Sequence, residues 1–156
     1  MAQNIEDLLL DGKHALVQGY LDKSIKLLGE VLEQDPTNEI ALFTRGTAYF
    51  NNMDYEAAIK DFDTYIANNT KNEKVYCSRG NAYLSLKKPE EALNDLNRAL
   101  EINPHYATAY FSRSELLRLS GLIEEAEEDE MTGHRIQKQM SRAFYSSQGI
   151  MFEESQ

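Results

Sequence analysis

A chain of 156 residues, 42% apolar and 10% aromatic, has material for about one domain with its own core, which excludes a chain disordered by composition. Sixteen Lys and Arg against twenty-six Asp and Glu leave a formal charge of −10, which disfavours a phosphate backbone or an anionic membrane surface, so nucleic acid is not an expected partner. The one cysteine, Cys77, excludes an intramolecular disulfide framework and a Cys-cluster zinc site and fits a reducing compartment, so a cytoplasmic location is expected. The N-terminus has no basic region ahead of an apolar run, and no window approaches the ~18 apolar residues of a spanning helix, so neither a leader nor a membrane partner is expected.

The chain repeats itself with a period of thirty-four. That shift superposes Gly12, Gly46, Gly80 and Ser114, then Ser24, Ala58, Ala92 and Ala126, then Leu28, Phe62, Leu96 and Glu130. The frames are 5–38, 39–72, 73–106 and 107–140. Within them the apolar spacing is helical: Leu42, Phe43, Ala48 and Tyr49 mark one helix of the second frame, and Ala58, Ile59, Phe62, Tyr65 and Ile66 the other. Gln18-Gly19, Asn51-Asn52-Met53-Asp54, Lys87-Lys88-Pro89 and Ser120-Gly121 break each frame in two with residues that end helices or tolerate left-handed backbone. Asp35-Pro36-Thr37-Asn38 and Asn103-Pro104-His105 close their frames, proline stopping one helix and asparagine suited to cap the next. Each frame therefore predicts a helical hairpin, with Gly46 and Gly80 expected to face Ala58 and Ala92 where the helices cross.

The segments Tyr76-x-x-Arg79-Gly80-x-x-Tyr83, Glu90-Glu91-Ala92 and Asn103-Pro104, and Asp54-Tyr55-Glu56-Ala57-Ala58-Ile59 through Phe62, resemble the tetratricopeptide repeat. The resemblance implies an all-α, right-handed superhelical stack of hairpins over 1–140, three regular repeats and a degenerate capping repeat, followed by a tail over 141–156. It implies little about the particular role, since such folds host many.

Sixteen residues apart lie Arg45 and Asp61, Arg79 and Asp95, and Arg113 and Asp129, while the first frame has Asp11 and Leu27 at those places. Joint presence and joint absence predict structural ion pairs across each hairpin; an arginine ladder for an acidic peptide is the alternative. In the superhelix that the resemblance implies, the first helix of each hairpin lines a concave wall. Helical spacing places Leu9 and Lys13, then Ile40, Phe43, Thr47 and Phe50, then Cys77, Asn81 and Leu84, then Phe111, Glu115 and Arg118 along it. The wall is mostly apolar or neutral, with Asn81 the best candidate to grip a peptide backbone. Some chaperone-binding members of the family hold a terminal carboxylate in a cationic clamp. The matching places here, Leu9, Lys13, Thr44, Lys74 and Ser78, or Phe43, Thr47, Ser78, Thr108 and Ser112 one frame later, do not reproduce it.

The last frame departs on its second helix, where Glu127, Glu130, Gly133 and His134 replace Leu93, Leu96, Ala99 and Leu100. Glu124 to Glu130 reads as a solvated cap, and acids ahead of Arg135, Lys138 and Arg142 suit one long helix over about 122–143. An acidic dock for a basic partner is the alternative. Beyond it, Ala143-Phe144-Tyr145 and Ile150-Met151-Phe152 form apolar clusters in a tail too short for its own core, a candidate route to a homodimer. His14, His105 and His134 have no ligand-spaced partner, and there is no phosphate loop and no nucleophile elbow. No cofactor, no metal and no enzymatic activity are expected. The expected function is an adaptor binding a protein or peptide in the concave groove, with a chaperone for a secreted or aggregation-prone client, or a scaffold self-assembling through the tail, as alternatives.

Overall fold

The computed structural model describes residues 4–150, among which there are eight helices and no strand. In chain order these are α1 (Ile5–Val17), α2 (Leu21–Gln34), α3 (Glu39–Asn51), α4 (Tyr55–Asn68), α5 (Glu73–Ser85), α6 (Pro89–Ile102), α7 (Ala107–Leu119) and α8 (Ile123–Ser147). Odd and even helices pair as hairpins, and each even helix packs on the odd helix that follows. The odd helices also touch one another in succession whereas the even ones do not, which puts the odd row on the inner side of the curve. The described residues thus form an all-α hairpin solenoid.

The helix starts follow from short polar side chains. Asn4, Asn38, Asp54 and Asn72 accept hydrogen bonds from the backbone N–H of Asp7, Ala41, Ala57 and Lys74 at 2.8, 3.0, 3.2 and 3.0 Å, and Pro89 opens α6 without a donor to waste. The turn inside each hairpin places one residue in the left-handed region, again at a period of thirty-four: Gly19 (φ 79°), Met53 (φ 62°), Lys87 (φ 58°) and Gly121 (φ 81°). At Met53 and Lys87 a side chain occupies a backbone conformation that glycine adopts without strain.

Two apolar clusters form the core. One gathers Leu8, Leu28, Val31, Leu42, Phe62 and Val75, the other Tyr76, Cys77, Leu96, Ala99, Ala109 and Leu116, and Ile66 packs against both. The small column does its work differently from the expectation. A Cβ on Gly12, Gly46 or Gly80 would stand 2.8, 2.6 or 3.2 Å from Leu28, Phe62 or Leu96, so each glycine faces the large residue sixteen positions on, and Gly80 faces the Ala92 backbone as well. The column of Ser24, Ala58 and Ala92 is small because it meets backbone: the Ser24 hydroxyl donates to the Gly12 carbonyl at 2.8 Å, and the Ala92 carbonyl lies 3.3 Å from where a Gly80 Cβ would be. Each hairpin therefore interlocks a large side chain with a missing one.

At the C-terminus α8 runs to Ser147, four residues past the expected end and through the boundary drawn at 140 and 141. Its acids Glu124, Glu125, Glu127 and Glu128 are exposed, as a cap requires, and so is every side chain described after Ile136. Phe144 and Tyr145 rest on each other at 5.5 Å, with Phe144 62% exposed. Met151 and Phe152 lie outside the described residues.

Met53→Gly and Lys87→Gly are each expected to stabilise the fold by about 0.5–1 kcal/mol, and Gly19→Ala, with open space around its Cβ, to destabilise it by a similar amount. Chemical denaturation of the three variants checks this, and an unchanged midpoint for both glycine variants refutes the strain.

Candidate functional site

Three arginines at the centres of α3, α5 and α7 set the spacing of the odd helices. Nε and Nη2 of each donate to the two carboxylate oxygens of the acid sixteen residues on: Arg45 to Asp61 at 2.8 and 2.7 Å, Arg79 to Asp95 at 2.7 and 2.7 Å, and Arg113 to Asp129 at 2.6 and 2.8 Å. All three acids are buried. The expected ion pairs are bidentate bonds inside the hairpins. Each of the last two forks has a second half that the sixteen-residue pairing does not reveal. Nη1 reaches back to the preceding hairpin, from Arg79 to Asp63 at 2.6 Å and from Arg113 to Asn97 at 2.8 Å. Asp63 and Asn97 stand sixteen residues before their arginines, a spacing present in the sequence but masked because their column begins with Gly29.

Tyrosine rings flank each guanidinium, Tyr49 5.7 Å from Arg45, Tyr76 and Tyr83 5.7 and 5.9 Å from Arg79, and Tyr110 5.6 Å from Arg113. Hydrogen bonding to its acid raises the pKa of each arginine against the opposing cost of burial. Burial pushes the Asp95 carboxyl up while the Arg79 bonds pull it down, and the net direction is upward. With their donors engaged within the stack, Arg79 and Arg113 do not present a ladder to the groove.

Several of the expected contact residues are half-covered by their own hairpins. Phe43 leans on Phe62 at 6.1 Å, Phe50 meets Tyr55 edge-on at 5.4 Å, and Phe111 meets His134 edge-on at 5.0 Å. Gly133 makes room for Phe111, which a Cβ there would approach to 2.8 Å. Leu9 and Leu84 pack partly buried against the core, while Lys13, Ile40, Glu115 and Arg118 are exposed, Arg118 joined to Glu130 at 2.7 Å. Thr47 and Phe50 of α3 meet Ser78 and Asn81 of α5 around a pocket of about 60 Å³ floored by buried Phe62. In the sequence Ser78 stands out only as a place where the carboxylate clamp fails.

Cys77 is corrected. It is 2% exposed in the second core cluster, its Sγ 3.9 Å from the Ser112 hydroxyl, so it cannot touch a ligand in the groove. Its neighbours one turn either side along the wall are half-open, but α5 turns this position onto α7. Burial raises the thiol to about 11, the Ser112 contact drawing it slightly back. Among the described residues no group of three His, Cys, Asp or Glu side chains is placed to hold a metal. None of the helices described is long and apolar enough to cross a membrane.

A periodic stack of paired helices has the architecture of a helical-hairpin repeat protein. Family models for the tetratricopeptide repeat match residues 9–73 and 73–106, and the chain belongs to the tetratricopeptide-repeat family, whose members are typically non-catalytic interaction modules. Among solved structures it is similar to a crystal structure of MamA, with 26% identity over 89% of this chain and 81% of that one and a TM-score of 0.81. It shares the fold of MamA 41-end from Desulfovibrio magneticus RS-1, at 15% identity, 87% and 77% coverage and a TM-score of 0.81. A second MamA crystal structure aligns at 23% identity, 94% and 83% coverage and a TM-score of 0.77. A comparison with curated proteins finds no significant match.

Asp95→Ala, which strands the half-buried Arg79, is expected to cost about 3–5 kcal/mol, whereas Asp63→Ala, at the exposed end of the same guanidinium, should cost about 0–1 kcal/mol. Equal losses in a denaturant titration would contradict the difference in burial. Cys77 should resist alkylation by iodoacetamide in the native protein at neutral pH and react on unfolding, as followed by intact mass; equal rates in the two states would place the thiol at the surface.

Proposed function

We propose that this chain is a non-catalytic adaptor that binds a peptide or protein segment along the inner wall of α3, α5 and α7. The observation that carries the reading is the pocket between α3 and α5, where the half-exposed Phe50 ring and the Asn81 amide converge above Phe62. An apolar recess beside a side-chain amide can hold one anchor residue and pair with the adjacent backbone. Thr47 and Ser78 add only neutral polarity, so the wall selects an uncharged or apolar stretch despite the chain's overall charge of −10. Phe43 and Phe111 extend the apolar surface toward the neighbouring hairpins, which gives a segment several residues long a continuous track.

Self-assembly is a second reading, favoured by Met140 and Phe144, which lie one and two turns beyond buried Ile136 on α8 and are each 62% exposed. Loss of an apolar anchor is expected to weaken groove binding by roughly tenfold or more per residue. The test is affinity capture from the native lysate by wild type and by a Phe50→Ser, Asn81→Ala variant with an unchanged circular dichroism spectrum, with native mass measured against concentration in parallel. A ligand held by wild type and lost by the folded variant supports the groove. Undiminished capture removes it, and concentration-dependent mass that disappears with Phe144→Ser turns the reading to self-assembly.

A further inference from the structure

Five glycines lie inside the described helices, and four of them are required sterically. A Cβ on Gly12, Gly46, Gly80 or Gly133 would come within 3.2 Å of a neighbouring side chain. Gly29, in the middle of α2, is different: its Cβ would meet only Arg45 Nη1, at an ordinary 3.7 Å. A mid-helix glycine costs about 1 kcal/mol relative to alanine, and here no close approach offsets it.

What the missing side chain does is visible from the two equivalent places. Asp63 and Asn97 stand one and two repeats after Gly29, and their Oδ1 atoms accept from Nη1 of Arg79 and Arg113 at 2.6 and 2.8 Å. At the first junction Arg45 has the same bidentate hold on Asp61, but its Nη1 has no acceptor in the slot. A pocket of about 310 Å³ opens there instead, lined by Gly29, Glu33, Arg45, Lys60, Asp61 and Thr64 among others. It lies between α2 and α4, on the side of the stack away from the groove of α3 and α5.

We infer that this pocket is a second binding site, one that takes the carboxylate of an Asp or Glu side chain from a partner protein in the place filled by Asp63 and Asn97 at the later junctions. One carboxylate oxygen accepts from Arg45 Nη1, and Lys60, on the same rim, supplies a second cation. The Nε–Nη2 edge of Arg45 already holds Asp61, so the incoming carboxylate takes one charge-assisted bond at Nη1. Asp61 already neutralises much of Arg45, and Glu33 adds a negative charge at the rim, so a single negative charge is accepted and a dianion such as phosphate is repelled. The pocket is open to the outside, which suits a side chain presented by another protein more than an enclosed small molecule.

The test is a two-dimensional amide NMR titration with sodium acetate and with a blocked tripeptide carrying one Glu, at ionic strength held constant with chloride. Wild type is compared with Gly29→Asp, which supplies its own carboxylate, and with Gly29→Ala as the control for helix propensity. The expected result is a saturable shift of the Gly29, Arg45 and Lys60 amides in the millimolar range, tighter for the peptide than for acetate and weakened about tenfold or more by Gly29→Asp but not by Gly29→Ala. Absence of saturation, or saturation that Gly29→Asp leaves unchanged, overturns the site. Acetate binding as tightly as the peptide overturns the partner side chain and makes a free carboxylate the ligand.

Discussion

Buried Arg–Asp forks hold each hairpin from α3 onward, and two of them, at Arg79 and Arg113, also tie their hairpin to the one before it. A hydrophobic interface between two helices has little to fix its register, whereas a guanidinium fork that must meet a buried carboxylate in its own hairpin and an oxygen in the previous one leaves few positions open. The apolar clusters supply the driving force for burial, and the forks decide which turn of one helix faces which turn of the next. The desolvation such pairs incur is best offset where all three guanidinium nitrogens donate, as at Arg79 and Arg113.

The same geometry produces the inner wall. Once the forks and the interlocked pairs Gly46–Phe62 and Gly80–Leu96 set the hairpins, α3 and α5 stand side by side with Thr47, Phe50, Ser78 and Asn81 turned inward. The charge of the chain goes elsewhere, much of it onto the exposed flank of α8. An acidic protein thus has a pocket between α3 and α5 lined by neutral and aromatic side chains.

Membership of the tetratricopeptide-repeat family and a likeness to MamA structures define the architecture and the general role of protein interaction, and a repeat stack of this kind varies its ligands by changing side chains on a constant frame. In this chain the variation is concentrated at the two ends. Asp11 replaces the arginine of the first repeat, Gly29 leaves the first junction without its cross-link, and Glu127 and Glu130 give α8 a surface on which no further hairpin can pack. Departures from a repeat mark where the molecule stops being scaffold.

By itself the sequence determined the period, the hairpins, the Arg–Asp pairing and the polar last helix, because each rests on local spacing or on a contact repeated at a constant separation. The turn segments and the Asn38 cap were legible for the same reason, whereas Asn103 ends α6 and α7 starts at Tyr106 without a side-chain cap. Only the tertiary structure decided that the glycines meet Leu28, Phe62 and Leu96, that Cys77 is core and not wall, that Nη1 of Arg79 and Arg113 reaches back a hairpin, and that α8 continues to Ser147. Those outcomes depend on the rotation of each helix about its axis and on the tilt between hairpins. Both are set by the fit of many side chains at once, and helical periodicity alone leaves them undetermined by a residue or two in either direction.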